Sequence, residues 1–188
     1  MKPIRSRRIL KKALLLGFLT PVSFVLLGAA GQSGAYADGK FTWKNIYVNR
    51  HLEVYSSSKA NGAYVGTWPW NGTATQYWYA SKQSDGYFRM DNYNSWKALD
   101  RWDGGSCDAT QWSWWGGSQQ RWKVLQNNNW TKEYGTLYEL INKKGCRGDA
   151  YHDHLAANQN RNIYQAYLWP DSVCGGGRQF LDTKCFWK

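Results

Sequence analysis

The strongest constraint on this chain is an internal repeat. In one segment Asn49 leads to Leu52-Glu53-Val54, then to Trp68-Pro69-Trp70-Asn71-Gly72, then to Gln76-Tyr77-Trp78. In a second, Asn94 leads to Leu99-Asp100-Arg101, then to Trp112-Ser113-Trp114-Trp115-Gly116-Gly117, then to Gln120-Arg121-Trp122. Trp68 to Gln76 and Trp112 to Gln120 are the same eight-residue step, and the two Gln-x-Trp elements lie forty-four residues apart. A third, degraded copy runs from Asn142 through Cys146, Leu168-Trp169-Pro170 and the glycines 175–177 to Gln179-Phe180-Leu181, where Gln-x-Trp would stand. A unit of this size cannot bury its own apolar face, so the three copies must share one core.

Local patterning says what the repeats are made of. Lys44 to Val48, Tyr77 to Ala80, Tyr87 to Met90, Trp122 to Leu125 and Leu137 to Ile141 read as short strands, rich in aromatic and β-branched residues. Clusters of Gly, Asn, Ser and Asp punctuate them about every ten residues. Asp153 to Asn160 has room for one helical turn; elsewhere after residue 37 no 3.6-residue period is sustained. An all-β barrel or sandwich follows.

The N-terminus has a different character. Lys2, Arg5, Arg7, Arg8, Lys11 and Lys12 precede an apolar run from Ala13 to Ala30, and Ala35-Tyr36-Ala37 fits the small-residue rule for signal-peptide cleavage. Residues 1–37 are therefore expected to be a signal peptide that is removed, leaving 38–188 as one domain with repeats at about 41–84, 85–132 and 133–188. The expected product is secreted from a bacterium, with no membrane span in the mature part. Ser6-Arg7-Arg8-Ile9-Leu10-Lys11 approaches a twin-arginine signal but lacks its usual Phe, which favours the Sec route. The leader holds six of the 24 Lys and Arg; the remaining 18 face 13 acids, a net charge of +5 instead of +11. That excess is too small, and too free of basic runs, to point to nucleic acid. Cys107, Cys146, Cys174 and Cys185 all lie in the exported part, where two disulfides are expected, with three possible pairings.

The succession of elements resembles the ricin B-chain lectin family, the Gln-x-Trp repeat family of carbohydrate-binding modules, across about residues 41–187. The family pattern runs Asn, Cys-Leu-Asp, Gln-Leu-Trp-x-Cys-Asn-Gly and Asn-Gln-Gln-Trp. The resemblance implies a β-trefoil: three four-stranded repeats about a pseudo-threefold axis, with one shallow sugar site per lobe. In each site an Asp would accept hydrogen bonds from adjacent hydroxyls, an aromatic would stack on the apolar face of the ring, and amides would add polar contacts. Carried across, the second repeat offers Asp100, Trp112, Gln119 and Gln120, with Thr110 where Gln is usual and Gln111 restoring it by a one-residue shift. The first offers Glu53, Trp68 and Gln76; the third offers Asp149, Trp169 and Gln179. The Trp of each Gln-x-Trp is expected in the core, where an indole buries on the order of 150–250 Å². His51 with Trp70, and Ala98 with Trp114, stand where the family places its cysteines. The resemblance therefore implies Cys146–Cys174, which leaves Cys107–Cys185.

Other classes fit less well. The chain has no Gly-x-Ser-x-Gly, His-Glu-x-x-His or phosphate loop, so no enzyme and no cofactor is expected. Tyr151-His152-Asp153-His154 reads as a polar loop rather than a metal site, because three ligands in four residues rarely share one ion. The expectation is a monomeric lectin for glycans or polysaccharides. The alternative is a trefoil that binds protein, such as a toxin delivery subunit, a partner of an enzyme, or an inhibitor.

Overall fold

Three indoles mark three lobes in the computed structural model, which describes residues 39–104, 106–127, 134–146, 152–157, 166–170 and 185–188. Trp78 Nε1 donates to the Leu52 carbonyl at 3.1 Å, Trp122 Nε1 to Leu99 at 2.9 Å and Trp187 Nε1 to Leu155 at 2.9 Å. Each ring is fully buried with its one polar atom satisfied, the condition on which a core accepts tryptophan. Leu52, Leu99 and Leu155 are themselves fully buried, and Trp43, Met90 and Leu140 join them in one hydrophobic cluster.

The described residues form thirteen strands: β1 (Gly39–Phe41), β2 (Lys44–Asn45), β3 (Arg50–Val54), β4 (Ala63–Trp68), β5 (Trp78–Lys82), β6 (Phe88–Asn92), β7 (Ala98–Arg101), β8 (Ala109–Trp112), β9 (Trp122–Asn127), β10 (Leu137–Asn142), β11 (His152–Ala157), β12 (Ala166–Pro170) and β13 (Phe186–Trp187). β1 and β2 are two stretches of one strand parted at Thr42-Trp43. With them, β5, β6, β9, β10 and β13 pair antiparallel in a closed ring, which removes free sheet edges. The hairpins β3–β4, β7–β8 and β11–β12 complete three four-stranded lobes. The fold is thus the expected all-β trefoil. All of it lies in the compact unit Gln32–Lys188.

Hydrogen bonds fix the true register of the repeats. The amides of Ile46, Tyr93 and Lys143 donate to the carbonyls of Phe186, Tyr77 and Arg121, so Asn45, Asn92 and Asn142 are equivalent, rather than Asn49, Asn94 and Asn142. Each of these Asn side chains accepts from a backbone amide of the following turn. The third Gln-x-Trp position is Cys185-Phe186-Trp187, not Gln179-Phe180-Leu181, because Trp187 makes the Leu155 bond. That Cys replaced the Gln concealed it. Gln179 and Asp149 lie outside the described residues, as do residues 1–37.

Two further expectations are corrected. His152–Ala157 is a strand, not a polar loop or helical turn, and the buried His154 Nε2 lies 2.9 Å from Glu139 Oε2. Cys107 is bonded to Cys146, with Cα atoms 5.5 Å apart, so neither implied disulfide pairing holds. The family's bridge lies within one repeat; this one joins the turn before β8 to the turn after β10, tying the second lobe to the third. Cys185 is disulfide-bonded as well, and Cys174 lies outside the described residues.

Candidate functional site

The β7–β8 hairpin determines what faces its outer surface. Asp100 pairs with Thr110 and Ala98 with Trp112, so alternation places Asp100, Thr110 and Trp112 on one face. Gln111 falls on the other, because a one-residue step reverses a strand side chain. Its amide donates to the carbonyls of Ser58 and Ala60 in the first lobe and its oxygen accepts from the Ser95 hydroxyl, and the side chain is fully buried. Gln111 is therefore a seam residue and does not line the site.

Asp100, Trp112 and Gln119 line one open pocket of about 180 Å³, together with Arg101, Trp102, Asp103, Gly104 and Trp115. The Asp100 carboxylate is nearly buried. Burial pushes its pKa up to about 6, although the Gln120 amide that hydrogen-bonds to it pulls the other way. Gln120 lies beneath the pocket: its oxygen accepts from Trp115 N at 2.9 Å and its amide donates to the Ser113 carbonyl at 3.1 Å. It positions the carboxylate and has no free group for a ligand. Gln119 Nε2 donates to Asp103 Oδ2 at 2.8 Å, and Lys144 Nζ and Arg101 hold the same carboxylate. Those contacts, that of Lys144 first, lower the pKa of Asp103. Arg101 Nε also donates to the Gly145 carbonyl, beside Cys146, so the Asp103 wall is anchored to the third lobe.

Three indoles supply the apolar surface. Trp102 and Trp112 meet with ring centroids 6.0 Å apart and planes at 43°. Trp102 lies over Gly104 and Trp115 over Gly117, each so close that a Cβ there would collide with the ring. Trp102, Asp103 and Trp115 were not singled out from sequence. The signal was present in a tryptophan one or two residues before Gly-Gly, at Trp102-Asp103-Gly104-Gly105 and Trp114-Trp115-Gly116-Gly117. Such a pocket can hold a polyhydroxylated ring, with carboxylate acceptors at its edge and indoles on its C–H face.

The first lobe repeats the frame with other residues around it, and the described residues of the third depart from the frame itself. Glu53 lies opposite Gly66 and accepts from Gln76 Nε2 at 2.7 Å, and burial raises its pKa. Gln76 also accepts from Asn71 N and donates to the Pro69 carbonyl, so it positions Glu53 as Gln120 does Asp100. Trp68 is exposed on the same hairpin. Trp70 lies 4.6 Å from His51, ring to ring, at the place of the family's missing bridge, whereas Trp114 is covered by Arg89 and Arg121. In the third lobe Trp169 takes the backbone position of Trp68 and Trp112, opposite His154. Ala156, fully buried, occupies the position of Glu53 and Asp100, and Cys185 that of Gln76 and Gln120. The acid and its amide support are both absent from those positions.

Fold and pocket together define a β-trefoil with an open, indole-walled cleft on its second lobe. Residues 32–115, spanning the first repeat and the second up to Trp115, match the model of the ricin-type beta-trefoil lectin domain-like family. Among solved structures, the designed three-fold symmetric protein ThreeFoil matches 80% of this chain and 97% of its own, at 21% identity and TM-score 0.62. The Rhizoctonia solani agglutinin matches 80% and 94% at 9% identity and TM-score 0.56. A mosquitocidal holotoxin matches 81% of this chain at 14% identity and TM-score 0.64, but this chain spans only 17% of it. At these identities the likeness is one of fold. No curated protein matches by sequence.

Proposed function

We propose that this protein is an exported carbohydrate-binding protein whose working site is the second-lobe pocket. The observation that carries the reading is the convergence of Asp100, Trp112 and Gln119 on one cleft walled by Trp102 and Trp115. Ionised Asp100 would accept from two neighbouring hydroxyls, Trp112 would stack on the ring, and Asp103 would orient a further hydroxyl. Charged hydrogen bonds of this kind contribute about 1.5–3 kcal/mol each. Export follows from the basic and apolar leader with its Ala-x-Ala site. The likeness to part of a holotoxin supports a second reading, in which the same module docks a toxin onto a surface. Pull-down on insoluble xylan, chitin and cellulose, beside a glycan array, tests the proposal. Retention by wild type that Asp100→Ala and Trp112→Ala each abolish supports it, and unchanged retention in those variants refutes it.

A further inference from the structure

A row of rings, none of which lines the pocket, is left unused by the sugar site. His51 and Trp70 meet at 4.6 Å, and Trp70 and Tyr77 at 5.5 Å edge to face. The Lys40 ammonium lies over Tyr77 at 4.0 Å and over Tyr93 at 4.3 Å, and Tyr93 meets Trp96 at 5.4 Å. The row crosses from the first lobe to the second, and Trp70, Tyr93 and Trp96 are 49%, 42% and 58% exposed.

Two observations indicate what would cover it. The first is charge. Lys40 is exposed, and Lys44 lies beside His51, its register partner, close enough to help lower that histidine's pKa after burial. Neither lysine is paired with an acid among the described residues, and no acid belongs to the row. On the corresponding surface one lobe on, the cations are paired with acids: Arg121 and Lys143 share Asp85, and Arg89 pairs with Asp91. The second is backbone strain. Trp96 has φ of 55°, four residues after Asn92, where the first lobe has Asn49 at φ 56° four residues after Asn45. Asn tolerates that left-handed conformation, whereas a bulky side chain there is an outlier. A strained tryptophan that is more than half exposed gains little from burial, which points to a role in contact with a partner.

We propose that this row is a second glycan-binding surface, taking a strand of acidic polysaccharide: sugar rings stack on Trp70, Tyr93 and Trp96, and their carboxylate or sulfate groups meet Lys40 and Lys44. It stands independently of the second-lobe pocket. Affinity electrophoresis in gels containing polygalacturonate, dextran sulfate or neutral dextran tests it, on the full chain and on Asp100→Ala. Retardation by either polyanion, persisting in Asp100→Ala and weakening with added salt, is the expected result; the polyanion preferred identifies carboxylate or sulfate as the recognised group. Trp96→Asn, which keeps the charge and relieves the strain, is expected to weaken retardation at least fivefold while Tm stays level or rises. Equal retardation in neutral dextran, loss with Asp100→Ala, or wild-type retardation of Trp96→Asn would overturn the proposal. The last result would mean that net positive charge alone attracts the polymer.

Discussion

The first and second lobes share a frame down to single hydrogen bonds and differ in what they build on it. In both, a buried Gln amide holds a buried acid, its oxygen accepts a turn N–H five residues upstream, and an indole two residues on bonds the leucine carbonyl. Around that frame the second lobe has Trp102, Asp103, Trp115 and Gln119 where the first has Tyr55, Ser56, Asn71 and Thr75. It also has Gly104 and Gly117 where the first has Ser57 and Thr73. Those glycines let two indoles lie flat against the backbone and wall the pocket. The frame is thus a folding device present in both lobes, and the pocket is a property of its loops.

The largest test of that contrast is removal of each acid. Asp100→Ala is expected to weaken glycan retention by about 10- to 100-fold, the loss of one or two charged hydrogen bonds, and Glu53→Ala by less than twofold. Equal losses on retention assays would erase the distinction between the lobes. Trp112→Ala, read on the same assay, should cost about tenfold through lost stacking.

Severing Cys107–Cys146 probes the wall that the second lobe shares with the third. The bridge closes a separation of 39 residues, so the paired Ser variant should lose about 4 kcal/mol of stability in urea melts, by loop entropy. Its glycan affinity should fall as well, because Asp103 is held by Arg101 and Lys144 beside that bridge. Gly117→Thr, which installs the first lobe's residue, should displace Trp115 and weaken binding about threefold with little change in far-UV circular dichroism, an order-of-magnitude expectation for one lost ring contact.

Protonation gives the smallest and most graded effect. Asp100 titrates at about 6, so retention should halve near that pH and fall further below it as the carboxylate loses its acceptor role. Stability moves the other way. A carboxyl raised from 3.8 favours the fold below the unfolded value, and that contribution is lost as pH rises through about 6. Asp100→Asn should therefore raise Tm relative to wild type at pH 8 and not at pH 3, while weakening binding at pH 8.

Much of this architecture was legible in the residues themselves. The spacing of two Gln-x-Trp elements implied the shared core, since burying Trp78 and Trp122 leaves few other solutions, and the family resemblance implied that Asp100 and Trp112 belong to one site. The acid and the closing element of the third repeat were not legible, because Cys185 stands where the marker Gln does and the acid has become Ala156. The disulfide was missed for a related reason: Cys107 has no counterpart in the family pattern, and its proximity to Cys146 arises only when two lobes pack. Trp102, Asp103 and Trp115 were missed because a loop's aim depends on where its glycines let the rings lie. Gln111 was misassigned because a one-residue shift is harmless in an alignment and reverses a side chain in a strand.

The central claim is that the second-lobe pocket is a working sugar site and the first-lobe frame is not, and indole N–H resonances report on it residue by residue. With the thirteen tryptophans assigned by NMR, the protein is titrated with neutral xylo-, chito- and cello-oligosaccharides and with galactosides. The account predicts saturable shifts at Trp102, Trp112 and Trp115 with at least one of these sugars, and none of comparable size at Trp68. Shifts centred on Trp68, or no indole response to any of them, would contradict it.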